Sequence, residues 1–257
     1  MVTVKSELEI KAMRAAGKVV AKMLAEVKKA IIPGIKKRDL DIIAARVLKE
    51  NNAKTAFKGY YGFPNHICVS INNELIHGIA NNQIIKTGDL VSIDAGAVVD
   101  GYFADAAITV GVGQIKAEYQ KLITVTEEAL NKAIAIIAPG VRIGTIGATI
   151  QQFVEQQGYR LPKNYTGHGI GKQLHEEPYV PNYGKYDYGL KLVAGMTICI
   201  EPMVQIGTDQ TRVLGDNWTV VSLDGTYSAH FEHTILVTAK GYEVLTANPH
   251  SMEEEGN

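Results

Sequence analysis

A chain of 257 residues, 46% hydrophobic and 21% charged, has ordinary globular composition and can bury a core without disulfide staples. Its 26 basic and 27 acidic residues leave a net charge of −1, so the molecule as a whole carries no field that would gather DNA. Two distant cysteines, Cys68 and Cys199, make no disulfide framework, and no apolar run approaches the roughly 18 residues of a membrane span. The first residues lack the apolar stretch of a signal peptide, so a soluble cytoplasmic protein is expected.

Ile10, Met13, Gly17, Val20, Leu24, Val27 and Ile31 recur at alternating spacings of three and four, which predicts an amphipathic helix with one narrow apolar stripe. Ser6 with Glu9 reads as its capping box, and Pro33-Gly34 as its stop. A second helix is expected from about Arg38 to Asn51, burying Leu40, Ile43, Ala44 and Val47. The pattern then recurs. Ile31-Ile-Pro-Gly-Ile-Lys matches Ile137-Ala-Pro-Gly-Val-Arg, and at the same offset Leu40 meets Ile146, Ala44 meets Ile150, Val47 meets Phe153 and Leu48 meets Val154. A long helix, Ala117 to Ile137, precedes the second copy. The reading is one catalytic unit over residues 1–250, made of two related halves near 1–112 and 113–250 that share a core, with a site at their junction. Residues 251–257 read as a frayed acidic tail.

Asp100-Gly101 is a two-residue hairpin signal between two strand-like runs, Leu90 to Val99 and Tyr102 to Val110. Such a turn pairs Val99 with Tyr102, puts Asp94 opposite Ala107 and puts Asp105 opposite Gly96. Both aspartates then share one face as diagonal neighbours, with Cβ atoms about 7–8 Å apart, close enough to share a cation. The bland alternative is two solvated aspartates on a surface hairpin. The apolar neighbours weigh against it, because uncompensated carboxylate burial is costly.

His168 lies between Gly167 and Gly169, a tight backbone approach, and His175 follows. The Gly run lacks the strand and helix of a phosphate loop, and the chain has no His-Glu-x-x-His zinc motif. Glu201 closes a strand before Pro202. Further on, His230, Glu232 and Thr234 alternate onto one strand face and Phe231, His233 and Ile235 onto the other. Taken singly, either glutamate reads as structural, His77 reads as a core histidine, and His66, His233 and His250 read as structural. Taken together, Asp94, Asp105, His168, Glu201 and Glu232 can bridge two divalent cations, which points to metal-assisted hydrolysis.

The stretches around Cys68 to Ile79, Val91 to Gly96, Asp100 to Asp105, Gly167 to Gly171, His175 to Pro178, Ile200 to Met203 and Phe231 to Thr234, in this order, strongly resemble the bacterial type I methionine aminopeptidases. The resemblance covers essentially the whole chain. It implies an α/β (α+β) pita-bread fold, two pseudo-symmetric halves with antiparallel sheets covered by helices around a central dimetal site. It implies Asp94, Asp105, His168, Glu201 and Glu232 as metal ligands, Asp105 and Glu232 bridging, with cobalt, manganese, iron or zinc left open. The nucleophile would be a metal-bridging hydroxide, with Glu201 moving the proton, His175 at the scissile carbonyl and His77 at the scissile amide nitrogen. Phe57, Tyr60, Phe63, Cys68, Leu174 and Trp218 would form a methionine pocket. Asn72, Glu74 and Ser228 would hold a sodium or potassium ion. Three positions depart from many relatives: Phe57 stands where cysteine is common, Leu174 where phenylalanine is common, and His230 where glutamine is common.

The activity so implied is removal of the initiator methionine from peptides and nascent chains whose second residue is small, by a monomer with no DNA or membrane partner. The competing readings are an Xaa-Pro aminopeptidase or prolidase, which usually carries a further N-terminal domain, and a non-catalytic binding module, which would lose ligands. Lys11, Arg14, Lys18, Lys22, Lys28, Lys29, Lys36, Lys37 and Arg38 make the first two helices basic. That is either a solvated face or a weak ribosome-docking surface.

Overall fold

The computed structural model describes residues 2–247. Two helices open the chain, α1 (Glu7–Ala30) and α2 (Lys37–Glu50). The Glu9 carboxylate accepts from both the backbone N–H and the hydroxyl of Ser6, at 2.8 and 2.9 Å, so the first turn is capped by the residues the sequence named. The stripe of α1 is broader than the spacing predicts: Ala12, Ala16, Val19, Ala21 and Met23 are buried as well. The reason is that α1 packs both on the sheet and on α2, so two of its flanks are covered. In α2 the half-buried Ile43 yields its expected core place to Leu48.

Five strands follow: β1 (Lys54–Thr55), β2 (Ile67–Ile71), β3 (Glu74–Ile76), β4 (Leu90–Val99) and β5 (Tyr102–Gly111). Two more helices come next, α3 (Ala117–Ala135) and α4 (Ile143–Gln156). Strands β6 (Thr166–Gly169), β7 (Glu176–Pro181), β8 (Thr197–Ile200) and β9 (Met203–Gln205) precede β10 (Thr211–Val213) and β11 (Val220–Ser222). The last are β12 (Ser228–His230), β13 (Glu232–Val237) and β14 (Tyr242–Val244). The main sheet has nine strands in the path β1-β4-β5-β13-β8-β6-β7, with β2 also on β4 and β14 also on β13. Its pairings are antiparallel. Small sheets β10-β11-β3 and β12-β9 complete the fold.

The recurrence seen in the sequence reaches individual hydrogen bonds. Helices α2 and α4 each have 14 residues and start 106 positions apart (143 − 37). Gly34 N–H donates to Ile85 O and Gly140 N–H to Leu192 O, both at 2.8 Å. Lys37 N–H donates to Gln83 O and Ile143 N–H to Leu190 O, both at 3.0 Å. The two copies meet where β5 pairs with β13, Ala107 opposite Glu232 and Ala106 opposite His233. Helices α1 and α2 cover the first copy with one apolar cluster, and α3 and α4 cover the second with another. No helix among the described residues is long and apolar enough to cross a membrane.

Gly17, inside α1, shows why a helix interior tolerates a residue that costs about 1 kcal/mol relative to Ala. A Cβ there would meet the Leu245 carbonyl, a backbone atom that cannot swing aside. Gly17→Ala therefore costs about 1–3 kcal/mol of unfolding free energy through overpacking and lowers the urea midpoint, although helix propensity alone predicts a gain. A midpoint at or above that of the unsubstituted protein would show that the Leu245 segment yields.

Candidate metal centre

The β4–β5 hairpin turns at Asp100 (φ 50°) and Gly101 (φ 81°), both left-handed, as a type I′ turn requires. Its register is the expected one, Asp94 opposite Ala107 and Asp105 opposite Gly96. Ala107 in turn faces Glu232, so Asp94, Ala107 and Glu232 form one row across three strands. Asp105 belongs to the neighbouring row. Its backbone N–H donates to Thr234 Oγ1 at 2.9 Å, the same hydroxyl donates to Asp105 O at 2.8 Å, and Thr234 pairs with Cys199 on β8. The methyl of Ala107 leaves the gap between Asp94 and Glu232 open.

Asp94, Asp105 and Glu232 offer oxygens that all lie within 4.8 Å of one another, as do donor atoms of Glu201, His230 and Glu232, and of His168, Cys199 and Glu232. Glu232 belongs to all three groups and joins them. His168 Nε2 stands 3.5 Å from Glu201 Oε1 and 4.0 Å from Glu232 Oε1. Its Nδ1–H donates to Gly169 O at 2.9 Å, which leaves Nε2 as a bare lone pair aimed at the carboxylates. The structure thus brings together all five residues singled out in the sequence. Asn182, which the sequence did not flag, donates to the Glu201 carbonyl at 2.9 Å. No local motif announces it.

The electrostatics state what the site needs. Asp105, His168 and Glu232 are buried. Asp94 Oδ1, Asp105 Oδ1 and Glu232 Oε1 are buried and make no hydrogen bond. Burial, then the neighbouring carboxylates, drive Asp105 and Glu232 well above the usual carboxylate range. Glu201 rises for the same reasons, and Asp94 through burial. His168 is pushed down to about 3, chiefly by burial, so it stays neutral and cannot balance them. Four clustered carboxylates and one neutral imidazole fit two divalent cations, which would satisfy the orphaned oxygens.

The centre opens into a cavity of about 270 Å³, walled by Phe57, Tyr60, Phe63, Cys68, Leu174 and Trp218, the six pocket residues expected, and by Tyr61, which was not. Phe63 meets Phe57 and Trp218 edge to face, with centroids 6.5 and 5.1 Å apart. Phe57 fits because Gly96 has no Cβ, which would lie 2.9 Å from its ring. His77 lines this cavity with a left-handed backbone (φ 58°), and burial pulls its pKa to about 4. His175 stands at the mouth with Nδ1 hydrogen-bonded to the Tyr60 hydroxyl at 2.9 Å, its pKa lowered by desolvation. A larger cavity of about 740 Å³ shares His168 and His175 and leads out past Lys172 and Tyr179.

Elsewhere, Ser228 Oγ donates to Asn72 O and Glu74 O, both at 3.2 Å, so the three groups named for a monovalent cation converge. Lys37 leaves the basic surface expected of it. It is buried, its ammonium 2.8 Å from the Glu74 carboxylate. His66 pairs with Asp41 and His233 with Thr246, as structural histidines do. His250 lies outside the described residues.

Because Glu232 is held buried against its neighbours' repulsion, the metal-free Glu232→Gln variant is about 0.5–2 kcal/mol more stable than the metal-free parent and melts at a higher temperature. The parent gains about 2.7 kcal/mol at a divalent metal concentration 100-fold over its Kd, and the variant loses most of that gain. Calorimetric melting with and without chelator checks both halves. A destabilised metal-free variant would make Glu232 a structural residue.

Residues 11–239 match metallopeptidase family M24. The methionine aminopeptidase of Mycoplasma capricolum is 50% identical over 96% of this chain and 98% of its own length. Methionine aminopeptidase 1 of Bacillus subtilis is 46% identical over 96% and 99%. The crystal structure of the Thermotoga maritima methionine aminopeptidase superposes with a TM-score of 0.95 at 45% identity, covering 96% and 99%. A prolidase from Pyrococcus horikoshii is more distant, with a TM-score of 0.78 and 27% identity over 95% of this chain but only 63% of its own. The architecture is the pita-bread fold these proteins share. Similarity of this kind, along nearly the whole length of the relatives, decides the family: the chain belongs to metallopeptidase family M24, among its methionine aminopeptidases.

Proposed function

We propose that this chain removes the N-terminal methionine from peptides and nascent chains, with a small second residue preferred. The observation that carries the reading is the cluster of orphaned carboxylate oxygens opening into a small cavity walled by aromatic rings, a leucine and a thiol. Such a wall suits a thioether, which is apolar and polarizable. The two cavities meet at His168 and His175, so a peptide anchored by its first side chain runs out along the larger one.

Asp94, Asp105, His168, Glu201 and Glu232 would hold two divalent cations, manganese, ferrous iron, cobalt or zinc. Bound there, the cations would lower the pKa of water and polarise the scissile carbonyl. Glu201, whose carboxylate burial holds well above its ordinary range, receives and returns the proton. His175 hydrogen-bonds the oxyanion that develops at the scissile carbonyl, with Tyr60 fixing its ring. His77 contacts the scissile amide nitrogen. The cavity wall holds the side chain through Phe57, Tyr60, Phe63, Cys68, Leu174 and Trp218.

The finer parts of the reading follow from the same residues. The chain acts as one catalytic unit over residues 1–250 with halves near 1–112 and 113–250, a monomer working in the cytoplasm. Asn72, Glu74 and Ser228 take a sodium or potassium ion. The exposed Lys11, Lys18, Lys22, Lys28 and Lys29 of α1 give weak ribosome contact, on a patch reduced by the burial of Lys37 and the pairing of Arg14 with Glu243 at 2.7 Å. The distant likeness to a prolidase keeps Xaa-Pro dipeptides as the second substrate to test.

Hydrolysis of Met-Ala-Ser is expected to vanish on chelation and return on stepwise re-addition of manganese, iron, cobalt or zinc. The Asp94→Asn, Glu232→Gln double variant stays inactive with every metal. Glu201→Gln loses about 10²–10⁴ in kcat through lost proton transfer, and His175→Ala about 10²–10³. Release of Pro from Xaa-Pro dipeptides with Met-Ala-Ser untouched would move the assignment to the prolidase branch, and no hydrolysis of either by folded, metal-loaded protein would leave a binding module.

Ribosome co-sedimentation is expected at low salt and lost at high salt, as phosphate contacts require. Pelleting unchanged by salt, or by charge reversal of Lys18 and Lys22, would remove the ribosome from the reading.

A further inference from the structure

His230 sits on β12, two positions before Glu232, and is 2% exposed. Its Nε2 is buried and makes no hydrogen bond. By contrast, His66 Nδ1 has Asp41, His175 Nδ1 has the Tyr60 hydroxyl and His233 Nδ1 has Thr246. A buried imidazole nitrogen without a partner is costly unless something that takes a lone pair comes to it.

What faces that nitrogen is chemically specific. His230 Nε2 lies 3.6 Å from Glu201 Oε2, while the other oxygen of the same carboxylate, Oε1, lies 3.5 Å from His168 Nε2. Glu201 therefore stands between two imidazoles, one to each oxygen. Glu201, His230 and Glu232 supply three donor atoms within 4.8 Å of one another, a compact set of two carboxylates and one imidazole.

The backbone that carries the ring is also held in place. His230 pairs with Met203 across β12 and β9. Its backbone N–H donates to Thr109 Oγ1 at 2.9 Å, and that hydroxyl donates to His230 O at 2.8 Å. Ser92 Oγ lies 2.8 Å from the same hydroxyl and completes a buried polar lock. Anchoring both backbone groups fixes the point from which the imidazole projects toward Glu201 and Glu232.

We propose that His230 Nε2 is a sixth protein donor to the dimetal centre, joining Glu201 and Glu232 as His168 does. The inference rests on the dimetal reading above and adds a second imidazole to it. Imidazole ligation suits zinc, iron and nickel, whereas an oxygen-rich set suits manganese and magnesium. His230 thus tilts this centre away from manganese and toward zinc or ferrous iron.

The experiment uses full-length protein labelled with ¹⁵N-histidine, stripped with chelator and titrated with zinc, which is diamagnetic. Two metal-bound imidazole nitrogens are expected in the unsubstituted protein and one in His230→Gln. Competition titration of the same two proteins is expected to show the zinc-over-manganese preference falling at least tenfold in the variant. One metal-bound nitrogen in the unsubstituted protein overturns the proposal by itself, whether or not the variant folds. An unchanged metal preference in a folded variant overturns it too. Both results leave the dimetal reading standing, whereas no zinc binding at all by the unsubstituted protein removes both.

Discussion

Burial of four clustered carboxylates on one sheltered face of a sheet is the constraint around which this molecule is organised. Burial lifts the pKa values of Asp94, Asp105, Glu201 and Glu232, neighbouring carboxylates lift the last three further, and three of the oxygens meet no donor. A chain left to relax would turn such groups to water. Here it cannot. Three hang from interior strands of a nine-stranded sheet and Glu201 directly follows a fourth, and two apolar clusters under two pairs of helices hold those strands in place. The packing of the whole chain supports a local arrangement that is unfavourable by itself and useful only when cations arrive.

Some of this was legible in the sequence because it is local. The Asp100-Gly101 turn admits essentially one pairing, so the relation of Asp94 to Asp105 followed from two residues that touch neither. The Pro-Gly stops and the helices after them announced the recurrence, and α2 and α4 begin at equivalent positions. Other parts were not legible because they depend on distant partners. Glu232 is an ordinary strand residue until β5 and β8 lie on either side of β13, and Glu201 carries no signal until its neighbours are known. Resemblance to a family, rather than periodicity, singled them out. Lys37 looked like surface charge, and only the distant Glu74 makes its burial tolerable. The breadth of the α1 face was missed because alanines off the main stripe become core once a helix has two neighbours.

The histidines separate by what their nitrogens meet. His66 and His233 are satisfied by a carboxylate and a hydroxyl and serve packing. In His168 the backbone of Gly169 fixes the tautomer, and Tyr60 orients His175. At His77 the position comes from the main chain, through a left-handed conformation that ordinary residues avoid. Burial keeps His77 and His168 neutral, so they shape and polarise the site without adding positive charge that would compete with the cations.

The hairpin turn has a consequence for how this centre can change over evolutionary time. Side chains along a strand alternate faces, so one residue inserted at Asp100-Gly101 would carry Asp105 to the far side of the sheet while Asp94 stayed. The turn lies six residues from Asp94, roughly 20 Å along an extended strand. It touches no substrate, yet a length change there would dismantle the centre as surely as loss of a ligand. The loop tip is ordinarily where a protein tolerates insertion and drift. Here it acts as a ruler, and selection on chemistry would be felt as selection on the length of an exposed turn.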